Sequence, residues 1–158
     1  MSAWGTSERD RPLWKCPICG REFANANQWH SHGQSLDDYL ADKTPVAVDL
    51  FMAFAAAVRE CGDYRMHPAK TRVAFITRMS FAGATLRRDW IDVGFILPYR
   101  SDSPRFRRIE DYGMKHEWAH YLRISRVEEI DAEVRRWACD AYRVGLQEYP
   151  WQRGKTDG

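Results

Sequence analysis

Arg72-Val73-Ala74-Phe75-Ile76-Thr77-Arg78-Met79-Ser80-Phe81 and, further on, Ile91-Asp92-Val93-Gly94-Phe95-Ile96-Leu97 decide the fold class. In the first run Val73, Phe75, Thr77, Met79 and Phe81 alternate with Arg72, Ala74, Ile76, Arg78 and Ser80. In the second, Ile91, Val93, Phe95 and Leu97 alternate with Asp92, Gly94 and Ile96 until Pro98 ends the run. A period of two places successive side chains on opposite faces of a strand, so both stretches read as half-buried strands. A further strand is expected from about Lys115 to Ile124, after a loop through Ser103-Pro104.

The segments on either side read as helices. Thr44 can N-cap, Pro45 suits a first helical turn, and Val46, Leu50, Phe54, Ala57 and Val58 recur at helical spacing up to a stop at Cys61-Gly62. The last helix is expected to open at Ser125 with Glu128 as its capping-box partner and to end at Gly145. Helix, strands, helix predicts an α+β domain: an antiparallel sheet of four or five strands with two helices on one face. The expected organisation is a disordered N-terminus over 1–11, a small zinc finger over 12–35, a linker over 36–43, the α+β domain over 44–146 and a tail over 147–158.

The finger is read from Trp14-x-Cys16-x-x-Cys19-x-x-x-Phe23, continuing to Trp29, His30 and His32. The distance from Cys19 to His32 is that of a two-Cys, two-His finger, and Phe23 and Trp29 supply its miniature apolar core. A second His is missing at its usual place, so His30 is the expected fourth ligand, with Asp37 as the alternative. The expected cofactor is one structural zinc on Cys16, Cys19, His30 and His32. The other two cysteines, Cys61 and Cys139, fall inside helical patterns and are expected to be buried thiols.

The net charge of +2 conceals a strong asymmetry: residues 65–126 carry a balance of +7, between flanks of −4 over 36–64 and −3 over 127–148. That basic centre points to an anionic partner. If Val73 and Phe75 face the helices, Lys70, Arg72 and Arg78 face the open side of the sheet, with Arg87, Arg88, Arg105, Arg107 and Arg108 nearby. The expected anion-binding residues are Lys70, Arg72, Arg78, Arg107 and His116, with Trp90, Tyr99 or Tyr121 available to stack on a ring. His116-Glu117-Trp118-Ala119-His120 matches H-E-x-x-H, but a strand would hold its two histidines roughly 13 Å apart, too far to share a metal. It reads as a chance match. With no long apolar run and no leader-like start, the chain is expected to be cytoplasmic and to have no membrane partner.

Trp14-Lys15-Cys16-Pro17-Ile18-Cys19-Gly20-Arg21, Lys70-Thr71-Arg72-Val73-Ala74-Phe75, Ser103-Pro104-Arg105-Phe106-Arg107-Arg108-Ile109 and Ile130-Asp131-Ala132-Glu133-Val134 resemble, in order, the bacterial domain-of-unknown-function family 5655 with the finger that precedes it. The resemblance supports the pairing of His30 with His32 and implies no activity. The expected function is a binding protein whose basic sheet face takes nucleic acid or a nucleotide. The alternatives are an enzyme acting on a phosphate-containing substrate, with His116 as general acid/base, and a protein–protein adaptor working through the finger.

Overall fold

A computed structural model describes residues 11–27, 35–111 and 117–148. Strands β1 (Trp14–Lys15) and β2 (Glu22–Phe23) form a small hairpin. Helices α1 (Leu36–Leu40) and α2 (Pro45–Arg59) follow. Next come β3 (Arg65–Pro68), β4 (Val73–Ile76), β5 (Ser80–Leu86), β6 (Ile91–Leu97), β7 (Arg108–Asp111), β8 (Trp118–Ile124) and α3 (Ala132–Gly145). Strands β3 to β8 make one antiparallel sheet in the order β3-β4-β5-β6-β8-β7. No helix among the described residues is long and apolar enough to cross a membrane.

The α+β architecture matches the expectation; the strand count does not. Among the described residues six strands replace the expected four or five. The run from Arg72 to Phe81 is two strands, because the chain turns at Thr77–Met79 and Thr77 N–H reaches Met79 O at 3.2 Å. Register shifts between Phe75 and Ile76, so Ile76 pairs with Ser80 while Phe75 pairs with Ala82. That irregularity lets Phe81 and Ala82 both be buried, and it strengthens the local twist.

Both long helices pack on the face presented by Val73, Phe75, Val93 and Phe95, which are buried with Val134 and Trp137 in a single core. Phe54 meets Phe75 and Phe95 at ring-centroid distances of 5.5 and 5.9 Å. Burying such aromatic rings is the largest favourable contribution to a core of this kind. Thr44 caps α2 by accepting from Ala47 N–H at 3.1 Å, with Pro45 in the first turn.

Helix α3 starts later than Ser125. The Glu129 carboxylate takes the Ser125 N–H at 2.6 Å and closes a short 3₁₀ turn over Val127–Glu129, and Asp131 then caps α3 by accepting from Val134 N–H. Gly145 closes the helix where a side chain has no room: a Cβ there would lie 2.3 Å from Thr77 Oγ1 and 2.8 Å from Phe81 Cδ1. Its carbonyl accepts from Arg78 and Met79 N–H at 3.1 and 3.0 Å, stitching the β4–β5 turn to the end of α3.

Two further expectations are corrected. Cys61 and Cys139 are joined in a disulfide, with Cα atoms 5.3 Å apart, instead of being two thiols. Helical periodicity buries one face of each helix, but it does not reveal that the turn after α2 meets the middle of α3 on the same side of the sheet. The segment 36–43, read as a linker, contains α1. Ser35 and Asp38 form a capping box there, and Tyr39 is buried, its hydroxyl donating to Thr71 O and accepting from Leu86 N–H.

Candidate anion site on the open sheet face

Strand register assigns the side chains of the second face. Ala74 pairs with Gly83, Gly83 with Gly94, Gly94 with Tyr121 and Tyr121 with Arg108, forming one row across five strands. A second row runs Thr85–Asp92–Arg123, and a third runs Ile96–Ala119–Glu110. Over β5 to β8 these rows line a groove of about 530 Å³, with Arg72, Arg87, Arg107, Arg108 and Arg123 among its walls. Most of these arginines stand at strand ends. Arg87 begins the β5–β6 turn, where its N–H reaches Trp90 O at 2.9 Å, and Arg107 is fixed just before β7 by its N–H on Tyr121 O at 2.7 Å.

The charges are unequally committed. Asp92 takes Arg87 at 2.9 Å and Arg123 at 3.5 Å, and Glu110 takes Arg108 at 3.2 Å. Among the described residues Arg72 and Arg107 have no carboxylate within salt-bridge distance. Several planar groups lie close to this surface or to one another. The Arg72 guanidinium carbon is 3.7 Å from where a Gly83 Cβ would be, and the Tyr121 ring is 3.2 Å from the corresponding point on Gly94. Arg108 lies 4.3 Å from the Tyr121 centroid and Arg123 lies 4.1 Å from that of Trp90. Gly94 makes the closer of these approaches possible, because a Cβ there would press on the Tyr121 ring, whereas one at Gly83 would meet Arg72 at ordinary contact distance.

The expected anion-binding residues are distributed as follows. Arg72 and Arg107 line the groove. Lys70 is exposed in the β3–β4 turn, outside it, and Arg78 lies in the β4–β5 turn with its Nε donating to Gln147 Oε1 at 2.8 Å. His116 lies outside the described residues. Arg87, Arg108, Arg123 and Asp92 complete the walls. Of the aromatic candidates, Tyr121 belongs to the groove and Trp90 stands beside Arg123. Tyr99 serves the helical side, where it donates to Asp140 at 2.6 Å and burial, reinforced by that carboxylate, drives its pKa far up. Arg105 also serves the helical side, held by Asp131 and Glu133 at 3.0 Å.

The H-E-x-x-H stretch enters a strand, not a helix. Trp118, His120, Leu122 and Ile124 share the helix-facing side of β8, and His120 is fully buried. Its Nε2 accepts from Ser101 N–H at 2.9 Å and its Nδ1 lies 3.0 Å from Trp118 O, which fits a neutral ring protonated on Nδ1. Burial lowers its pKa, the Trp118 carbonyl opposes that shift and Arg100 adds to it.

The N-terminal hairpin covers the rest of this face. Cys16 and Phe23 are buried against Ile76, with Trp14, Cys19 and Ala74 around them. Phe23 meets His67 edge-on at 5.2 Å, Ala24 N–H donates to Arg78 O, and Glu22 lies 3.9 Å from Arg65. Between the cysteines the chain forms a tight turn. Ile18 N–H points to Cys16 Sγ at 3.4 Å, Gly20 N–H to Cys16 O at 2.8 Å, and Gly20 adopts φ +77°. An N–H directed at sulfur stabilises a thiolate, so this turn fits a metal-binding pair. Among the described residues no group of three or more His, Cys, Asp or Glu is placed to hold a metal. His30 and His32 lie outside them, and Asp37 is exposed on α1.

Comparison with curated proteins and with solved structures returns no match. A family model described as domain of unknown function DUF5655 matches residues 36–145, from α1 to the last residue of α3. The matched span includes the whole six-stranded sheet and its groove, covers well over half of the chain, and so the protein belongs to the DUF5655 family.

Proposed function

We propose that this is a zinc-containing binding protein whose basic sheet groove takes a phosphate-bearing ligand of nucleotide chemistry, free or within a nucleic acid. The observation that carries the reading is the pair Arg72 and Arg107 on the walls of a groove of about 530 Å³, without carboxylate partners among the described residues. The volume lies in the range of small-ligand sites, and guanidinium groups suit phosphate oxygens by geometry as well as charge. Zinc would be held by Cys16 and Cys19 with His32 and His30. It would order the hairpin that covers Ile76 and leaves the groove as the remaining open part of the face.

Binding is favoured over catalysis because Asp92, the carboxylate among the groove-lining residues, is engaged by two arginines and so is poorly placed as a general base. One observation favours the adaptor reading. Ile18, at the tip of the Cys-x-x-Cys turn, is 74% exposed, and an apolar tip of that kind suits protein contact. Equilibrium binding of mononucleotides and nucleic acid at low salt, with Arg72→Ala and Arg107→Ala beside the parent chain, tests the proposal. Loss of affinity in both variants supports it, and failure of every such ligand to bind the parent chain removes it in favour of the adaptor.

A further inference from the structure

Resting on that reading of the groove, we infer that the ligand is a single-stranded nucleic acid whose unstacked bases lie on the planar groups of the sheet. The first argument is reach. Gly83, Gly94, Tyr121 and Arg108 occupy neighbouring strands in one row, and three interstrand spacings amount to about 14 Å. Arg72, lying over Gly83, therefore stands at one end of the row and Arg108 at the other. That row is longer than one phosphate group, and a nucleic-acid strand that follows it would lay successive units along it.

The second argument is the surface between those ends. The Arg72 guanidinium rests against Gly83, the Tyr121 ring against Gly94, and Arg108 against Tyr121. Arg72 and Arg108 are exposed and Tyr121 is half-buried, and accessible guanidinium and aromatic groups on a sheet are what unpaired bases stack upon. A duplex keeps its bases stacked inside and would offer this surface only its backbone. The third argument is the division of the walls. Arg87 and Arg123 line one flank, with Thr85, while Ile96 and Ala119 line the other. Asp92 stands on the first flank and pairs with both of its arginines, so that flank is polar and the other apolar. That division suits a strand with its sugar–phosphate backbone on one side and base edges on the other.

The test uses fluorescence anisotropy with the full chain and three labelled probes of one length: a single strand, its duplex, and an abasic single strand with the same phosphates. The base-bearing single strand is expected to bind at least about tenfold more tightly than the other two, since each stacked base is worth about 5- to 150-fold. Tyr121→Ala should bring its affinity down to that of the abasic strand, and Tyr121→Phe, which keeps the ring, should preserve it. Gly94→Ala, whose Cβ would press on Tyr121 without changing any charge, should weaken the single strand and spare the abasic one. Circular dichroism confirms that each variant is folded. Equal binding of all three probes, weakened by Arg72→Ala but indifferent to Tyr121→Ala, overturns the stacking inference and leaves the anion groove intact. Absence of binding to every probe overturns both.

Discussion

Asp92 neutralises two arginines of the groove, Arg87 at 2.9 Å and Arg123 at 3.5 Å, so its replacement is expected to strengthen ligand binding. In the parent chain Arg72 and Arg107 are the groove arginines left for phosphate contact, since Glu110 holds Arg108. For a single strand the logarithm of affinity falls with the logarithm of salt at about −0.7 per neutralised phosphate, so two contacts give a slope of about −1.4. Between about 50 and 200 mM salt that is roughly a 7-fold loss. Asp92→Asn frees two further guanidiniums, bringing the slope to about −2.8 and the loss to roughly 50-fold. Replacing Arg72 and Arg107 together by Ala should flatten the slope towards zero. Asp92 is partly exposed, and exposed ion pairs contribute little to stability, so the variant should fold as the parent does. Anisotropy titrations of one labelled single strand at four or more salt concentrations measure all three slopes. An unchanged slope in Asp92→Asn, or an undiminished one in the double alanine variant, refutes the assignment of charge in the groove.

Three predictions concern the scaffold. The Cys61–Cys139 disulfide spans a sequence separation of 78, and closing a loop of that length is worth up to about 4.5 kcal/mol by chain entropy, so urea unfolding with and without a thiol reductant should show a clear fall in stability on reduction. Gly145→Ala would force a Cβ against Thr77 and Phe81 and should cost about 1–3 kcal/mol in the same assay. His120 is held neutral by burial, with its pKa below the ordinary value of 6.5. The unfolded chain then binds a proton that the folded chain refuses, so this contribution to stability is complete above about pH 6.5 and is lost as pH falls below it; unfolding free energies at about pH 7.5, 6.5 and 5.5 measure that slope.

Much of the fold is legible because its signals are local. Alternation over Ile91–Leu97 and the cap at Thr44 depend on neighbours in the chain, and both recur in the structure. What escapes the sequence depends on distant contacts or on short elements. Strands β3 and β7 are four residues each, Arg65–Pro68 and Arg108–Asp111, and offer too little alternation to register. The turn at Thr77–Met79 contains neither glycine nor proline, and alternation runs through it unbroken. The Arg78 and Met79 amides of the turn donate to the carbonyl of Gly145, remote in sequence. The candidate site follows the same division. Parity around Val73 put Arg72 on the open face with Arg87 near it, whereas Arg123 enters the groove beside Asp92, which only cross-strand register reveals.

That open face has two halves of different polarity, and the difference bears on why the hairpin sits where it does. A sheet whose helices all lie on one side must leave its other side wet or cover it. On β3 and β4 the open side presents Ala74 and Ile76, which would be costly to leave in water, beside His67 and Arg65. Cys16 and Phe23 bury Ile76 there, and Phe23 packs on His67. On β5 to β8 the same side presents glycines, arginines, Thr85 and Asp92 beside Tyr121, Ile96 and Ala119, a more polar surface that water solvates. The family match begins at residue 36, after the hairpin, yet Ile76 within the matched domain is buried by residues that precede it. The hairpin is therefore part of the sheet's own packing, and its docking on β3 and β4 sets the boundary at which the covered half of the face gives way to the groove.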